Sequence, residues 1–172
     1  MTPLPTGVTG APTGATLAAW RLDVTRHAAN WHTAEGAFLV GGRWSSPGKR
    51  VIYSAIDPST AILEVGVHKG FGTLDALPHT LLELEILHPE QVHVMNPATV
   101  PNPAWLRPGT VSRAQQAYGD ALLATHPLLM LPSVVSTHSW NLLIDAAQVP
   151  SQVRLKHREA FALDPRIHTK SI

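Results

Sequence analysis

Residues 40–54 read Val-Gly-Gly-Arg-Trp-Ser-Ser-Pro-Gly-Lys-Arg-Val-Ile-Tyr-Ser. Within them Ser45-Ser46-Pro47-Gly48 is a strong turn signal, because proline presets φ and glycine adopts a positive φ without steric cost. The short apolar segment Phe38 to Val40 before the turn and Arg50-Val51-Ile52-Tyr53-Ser54 after it form the two limbs of an expected strand pair. Gly41 and Gly42 leave no side chain in front of Arg43, so a ligand or another backbone can reach the arginine.

Working outward, Leu17-Ala18-Ala19-Trp20-Arg21-Leu22 reads as an opening strand, and Asn30-Trp31-His32 with Gly36 as a loop. Asp57-Pro58-Ser59 is a helix start, and apolar residues continue at helical spacing to His68. Glu64 sits among Ile62, Leu63, Val65 and Val67, so its carboxylate either escapes to solvent or points into a cleft and needs a partner there. Thr80 to Ile86 alternates as a strand with Glu83 and Glu85 on its exposed face. The prolines at 97, 101, 103 and 108 mark a loop with one helical turn at Pro103-Ala104-Trp105, and Val111 to Ala124 is a second helix. Leu128 to Ser136 and Trp140 to Ile144 read as apolar strands joined by a polar turn, and Gln152 to His157 as one more strand at period two. Phe161 to Arg166 closes the chain. Many short strands, two or three helices and no regular βαβα alternation specify an α+β single domain built on a mixed or antiparallel sheet.

The chain has 172 residues, enough for one hydrophobic core and too few to make a second domain a natural reading. Charged residues make up 15%, below the roughly 25% of an average soluble protein, so part of the surface is apolar or covered by a partner. Thirteen basic and twelve acidic side chains give a net charge of +1, which leaves no electrostatic footprint for direct nucleic-acid binding. The low charge and the proline-rich loop allow a homodimer. There is no cysteine, which excludes thiolate metal sites and a cysteine nucleophile and suits a reducing cytoplasm. The ten histidines are irregularly spaced with no HExxH pair, so no metal site is expected. His68, His79 and His138 read as structural or surface residues. Residues 1–16, rich in Pro, Gly and Thr, read as a flexible arm and as neither a signal peptide nor a membrane span.

Taken in order, Trp20-Arg21-Leu22, Gly42-Arg43-Trp44 with Pro47-Gly48, Val51-Ile52-Tyr53-Ser54, Ala61-Ile62-Leu63-Glu64, Leu131-Pro132-Ser133 and Trp140-Asn141-Leu142-Leu143 form a set that resembles the RES-domain family. That family is the toxin half of a bacterial RES/Xre-type toxin–antitoxin pair, and the resemblance spans roughly residues 17–167. One departure is Ile144-Asp145-Ala146-Ala147-Gln148-Val149-Pro150, where family members often carry an Asn-Pro and then a His-Pro. The resemblance implies a fold similar to ADP-ribosyltransferases over residues 17–172 and a cytoplasmic enzyme. NAD+ is its substrate, with no cofactor, and its partner is a small DNA-binding antitoxin.

The side chains suit that chemistry. Cleavage of the nicotinamide–ribose bond builds positive charge on the ribose, where a carboxylate such as Glu64 stabilises the transition state or holds the 2′-hydroxyl. Arg43 offers a planar fork of donors for pyrophosphate oxygens or a ribose hydroxyl. Tyr53 supplies a stacking face and a polar anchor. Ser133 is a donor for a phosphate or the nicotinamide amide, Arg21 lines the same cleft or pairs with a carboxylate in the core, and Trp44 and Trp31 wall a base pocket or belong to the core. Each residue also has a plain structural reading: Arg43 as a turn arginine, Tyr53 as a half-buried strand residue, Glu64 as a solvent-facing helix position, Ser133 as a strand-edge hydroxyl. The acceptor remains open between water, inorganic phosphate and a protein side chain, and a non-catalytic binding module is the alternative to an enzyme.

Overall fold

The computed structural model describes residues 16–167 apart from 103, 108 and 110. Except for Thr16, the expected N-terminal arm lies outside the described residues. The strands are β1 (Leu17–Val24), β2 (Val51–Ala55), β3 (His79–Ile86), β4 (His93–Val94), β5 (Leu128–Pro132), β6 (Trp140–Asp145) and β7 (Val153–Phe161). The helices are α1 (Glu35–Val40), α2 (Pro58–Lys69), α3 (Phe71–Ala76), α4 (Arg113–Thr125) and α5 (Val149–Gln152). The strands form one sheet in the order β4-β5-β6-β2-β1-β3-β7. The β4–β5 pair is parallel and the rest are antiparallel. This is the mixed-sheet α+β domain that the sequence specifies.

The strand pair expected around residues 45–48 does not form. Phe38, Leu39 and Val40 end helix α1, which starts after Ala34 in the left-handed region at φ 50°. Strand β2 pairs instead with β6, from Val51↔Asp145 to Ala55↔Asn141, and meets β1 at the single position Trp20↔Ala55. The expected loop around Asn30 is a 3-10 run over Thr25–Thr33. Strand β5 ends at Pro132 rather than Ser136, because the Ser133 hydroxyl accepts from the N–H groups of Val135 and Ser136 and folds the chain into a turn.

Strand pleating sends alternate residues to opposite faces. One face, bearing Leu17, Ala19, Ile52, Leu82, Leu84, Met130, Leu142 and Ile144, packs on Ala28 and Trp31 of the 3-10 run. The other face has two covers. Over β5, β6 and β2, Leu129, Leu131, Leu143 and Val51 pack on Trp44, Trp105 and Leu123. Over β1 and β3, Leu22 and Leu81 pack on Leu74 and Leu163, with Ile62, Val65 and Phe71 closing around them. The loop after α1 together with α4 makes the first cover, and α2 with α3 makes most of the second.

Candidate active site

Helix α2 holds its place through its cap. Asp57 accepts from the Thr60 N–H at 2.8 Å and Thr60 Oγ1 at 2.7 Å, and also from Ser139 Oγ at 2.6 Å in the β5–β6 turn. Burial pushes the Asp57 carboxyl up, but the Ser139 and Thr60 donors outweigh it and hold the group below its ordinary range. Two turns along α2, the half-buried Glu64 meets the same turn. Its Oε1 accepts from Ser133 Oγ at 2.8 Å and from Asn141 Nδ2 at 2.5 Å. The apolar neighbours that raised the question of its direction lie to either side: Ile62 and Val65 enter the core while Val67 is exposed.

Ser133 is 0% exposed. A hydroxyl has one donor and two acceptor sites, and here Glu64, Val135 N–H at 3.2 Å and Ser136 N–H at 2.9 Å use all of them. Ser133 therefore holds Glu64 and has no capacity left for a phosphate or an amide, contrary to the donor role expected of it.

Tyr53 lies on the same sheet face as Asn141. Tyr53 pairs with Leu143 and Asn141 with Ala55, so the two are diagonal neighbours, about 7–8 Å apart. The Tyr53 hydroxyl is tied to its own chain, accepting from the Trp44 N–H at 3.1 Å and bonding Ser45 Oγ at 2.9 Å. Burial pushes its pKa up to about 12. The ring, not the hydroxyl, is what Tyr53 can offer a ligand.

The two glycines before Arg43 are explained by the packing and turn of this loop, Gly42 by the tyrosine and Gly41 by its backbone conformation. Any side chain at Gly42 would run into the Tyr53 ring and hydroxyl, and Gly41 takes φ 73° with the Ser45 carbonyl 2.8 Å from where its Cβ would stand. From α4, Gln116 Nε2 donates to the Gly42 carbonyl at 2.9 Å, and Asp120 Oδ1 accepts from the Ser46 N–H at 3.1 Å. The loop is thus clamped on both sides of Arg43. The arginine itself is partly exposed and makes one long contact among the described residues, from Nη2 to the Gly109 carbonyl at 3.4 Å. In contrast, Arg21, Arg50, Arg154 and Arg166 are all in ion pairs.

Arg21 and Trp44 do not line this site. Arg21 pairs in register with Leu82, which places it on the sheet face opposite Tyr53 and Asn141. Its Nε and Nη2 grip Asp23 at 2.8 and 2.7 Å, and Nη1 donates to the Tyr53 carbonyl at 2.9 Å. Because β1 and β2 share one ladder position, this guanidinium is a side-chain stitch across the seam. Trp44 is 2% exposed and packs edge-on against Trp105 at 5.5 Å between ring centroids. It is a core residue, and only its N–H serves the site. Trp31 lies in the core of the opposite face. His79 is buried, with Nδ1 2.7 Å from the Leu77 carbonyl. The departure from Asp145 to Pro150 folds as a 3-10 turn capped by Asp145, followed by α5, and leads directly into β7.

Asn141 is the site residue that sequence reasoning missed. The signal was an amide inside the apolar run Trp140-Asn141-Leu142-Leu143-Ile144, since a polar side chain in a central strand needs a partner.

Fold and site together define an α+β domain in which a helix-borne carboxylate is fixed to the end of the sheet and an arginine loop is clamped over Tyr53 of the same sheet face. The RES domain model matches residues 18–164, and the chain belongs to the RES domain family. It is similar to the Prs ADP-ribosylating toxin of Sphingobium sp. (strain YBL2), 31% identical over 162 residues that cover 88% of this chain and 97% of the relative. It is also similar to Toxin Res of Photorhabdus laumondii, 27% identical over 86% of this chain and 95% of the relative. In fold it is similar to a chain of the M. tuberculosis MbcT–MbcA toxin-antitoxin complex, with a TM-score of 0.69 at 18% identity, covering 87% of this chain and 86% of that one. No helix among the described residues is long and apolar enough to cross a membrane.

Proposed function

We propose that this chain is the toxin of a toxin–antitoxin pair and that it splits NAD+ at the nicotinamide–ribose bond. The observation that carries the reading is the Glu64 carboxylate, with Oε1 bonded to both Ser133 and Asn141 and Oε2 without a partner among the described residues. The C1′–N bond breaks with its electron pair going to nicotinamide, which leaves neutral and needs no acid. Positive charge gathers on the ribose, where Glu64 opposes it and Oε2 holds the 2′-hydroxyl or the incoming nucleophile. The nucleophile bonds to C1′ and releases its proton. Arg43, partly exposed on a clamped loop, takes the pyrophosphate with its fork of donors, and Tyr53 lends its ring.

Water or inorganic phosphate as nucleophile depletes NAD+. The name of the Sphingobium relative, an ADP-ribosylating toxin, favours a second reading in which a protein side chain takes the ADP-ribosyl group. The solved toxin–antitoxin complex supports an antitoxin partner. With a net charge of +1 on this chain, the antitoxin supplies the DNA contacts.

The test is nicotinamide release from NAD+ by the purified chain, with water alone, with phosphate, and with a cell extract plus labelled NAD+. Release in any arm that disappears in Glu64→Gln supports the reading. No release in all three arms overturns it.

A further inference from the structure

We propose that Asn141 is a positioning residue for Glu64, which together with Ser133 saturates Oε1 and thereby turns Oε2 toward the reacting ribose. This rests on the NAD+-cleaving reading above and adds to it how the carboxylate is aimed.

The terminal torsion of a glutamate is broad and nearly two-fold, so an unsupported carboxylate has no defined direction. Here two donors converge on one oxygen from two places on the sheet. Ser133 follows β5 and Asn141 stands in β6, opposite both Leu131 and Ala55. The carboxylate accepts only, which fixes the orientation of the amide: the NH2 group must face Glu64. Asn141 Oδ1 is then buried with no partner among the described residues. A leucine would suit the strand without that cost, since every neighbour from Leu142 to Ile144 is apolar and fully buried. The donor to Glu64 is what the amide contributes in exchange. Asn141 is also anchored on rigid structure, so its aim does not depend on a loop.

Near this junction stand Tyr53 on β2, Asp57 at the start of α2, His68 one turn beyond Glu64 on α2, and His138 in the β5–β6 turn. Burial pushes the Tyr53 pKa up to about 12, and the Ser139 and Thr60 donors hold the Asp57 carboxyl below the usual carboxylate range. The pH test is therefore read as the difference between Asn141→Asp and wild type, which share all these groups.

Asn141→Asp keeps the shape and sets a second carboxyl against Glu64. Like charges in contact hold a proton between them, so the acid limb of kcat for NAD+ should move to higher pH by about one unit or more. Asn141→Ala removes the donor, and kcat should fall about ten-fold or more while KM for NAD+ changes less than about two-fold. Thermal melts check that each variant folds; if Asn141→Asp does not, the split between kcat and KM in Asn141→Ala decides. Glu64→Gln is run alongside. An unmoved acid limb in Asn141→Asp, or wild-type kcat in Asn141→Ala, overturns the positioning role while an inactive Glu64→Gln leaves the underlying reading standing. An active Glu64→Gln overturns that reading itself.

Discussion

The hydroxyl of Ser133 donates to Glu64 Oε1 at 2.8 Å, tying a helix to the end of a strand 69 residues further along the chain. The Ser133 hydroxyl oxygen in turn accepts from the N–H groups of Val135 and Ser136. One serine therefore closes the β5–β6 turn and restrains the carboxylate. Ser133→Ala should leave both N–H groups without their acceptor and free the carboxylate, costing about 1–3 kcal/mol of stability along with a lower turnover of NAD+. Urea unfolding and steady-state kinetics check it, and a variant with wild-type values in both would show that the bond does nothing.

Asp57 fastens the other end of the same junction. Asp57→Ala loses the helix cap and the Ser139 bond together, and should cost about 1–2 kcal/mol. The carboxyl is held below its ordinary value of 3.8, so the stability it contributes is present above that pH and is lost as pH falls through the folded value. Acid titration of stability should accordingly fall more steeply in wild type than in Asp57→Ala below about pH 3.9. Parallel curves would contradict this.

Tyr53 acts at the opposite end of the scale. Its pKa rises from 10.0 to about 12 on burial, so the folded chain holds the proton longer than the unfolded one. Its contribution is complete below pH 10 and drains away between 10 and about 12. Denaturant midpoints measured across that window should decline in wild type, and Tyr53→Phe should remove this part of the slope.

Gly119 decides how closely α4 approaches the arginine loop. A Cβ there would collide with the Trp44 carbonyl, which is backbone and cannot swing aside. Alanine gains about 1 kcal/mol of helix propensity over glycine, but overpacking costs about 1–3 kcal/mol, so Gly119→Ala should be destabilising. A raised melting temperature would show that the loop yields.

Much of this architecture was legible because local signals agreed with the final packing. Asp57-Pro58 announced α2, the apolar strands β5 and β6 were evident from their runs, and Thr80 to Ile86 alternated as a strand does, although the face expected to be exposed is largely covered, with Leu81 in the core and Glu83 and Glu85 paired with Lys156 and Arg154. The failures have physical causes. Phe38 to Val40 looked like a strand limb because three apolar residues are too few to show a period, and α1 follows from the left-handed Ala34, which no pattern marks. The glycines beside Arg43 suggested ligand access, whereas Gly41 serves a positive φ beside the Ser45 carbonyl and Gly42 makes room for Tyr53, eleven residues beyond it and visible only once the loop wraps it. Arg21 was left between the cleft and a pairing in the core, and it pairs with Asp23, because the face it takes depends on register with β3, which is set by long-range pairing. Glu64 and Ser133 came from the family resemblance, and their hydrogen bond gives the resemblance a geometry. Asn141 was quoted in the same motif but went unassigned, since its role exists only where α2 crosses the sheet.

The central claim is that Glu64 supplies negative charge to a ribose becoming cationic, and one measurement bears on it most directly. Glu64→Gln keeps the shape and removes the charge, so single-turnover release of nicotinamide and the equilibrium affinity for NAD+ should be measured on the same folded variant. The account predicts turnover lower by about 10²–10³-fold with an affinity within a few-fold of wild type. Turnover close to wild type in folded Glu64→Gln would contradict it.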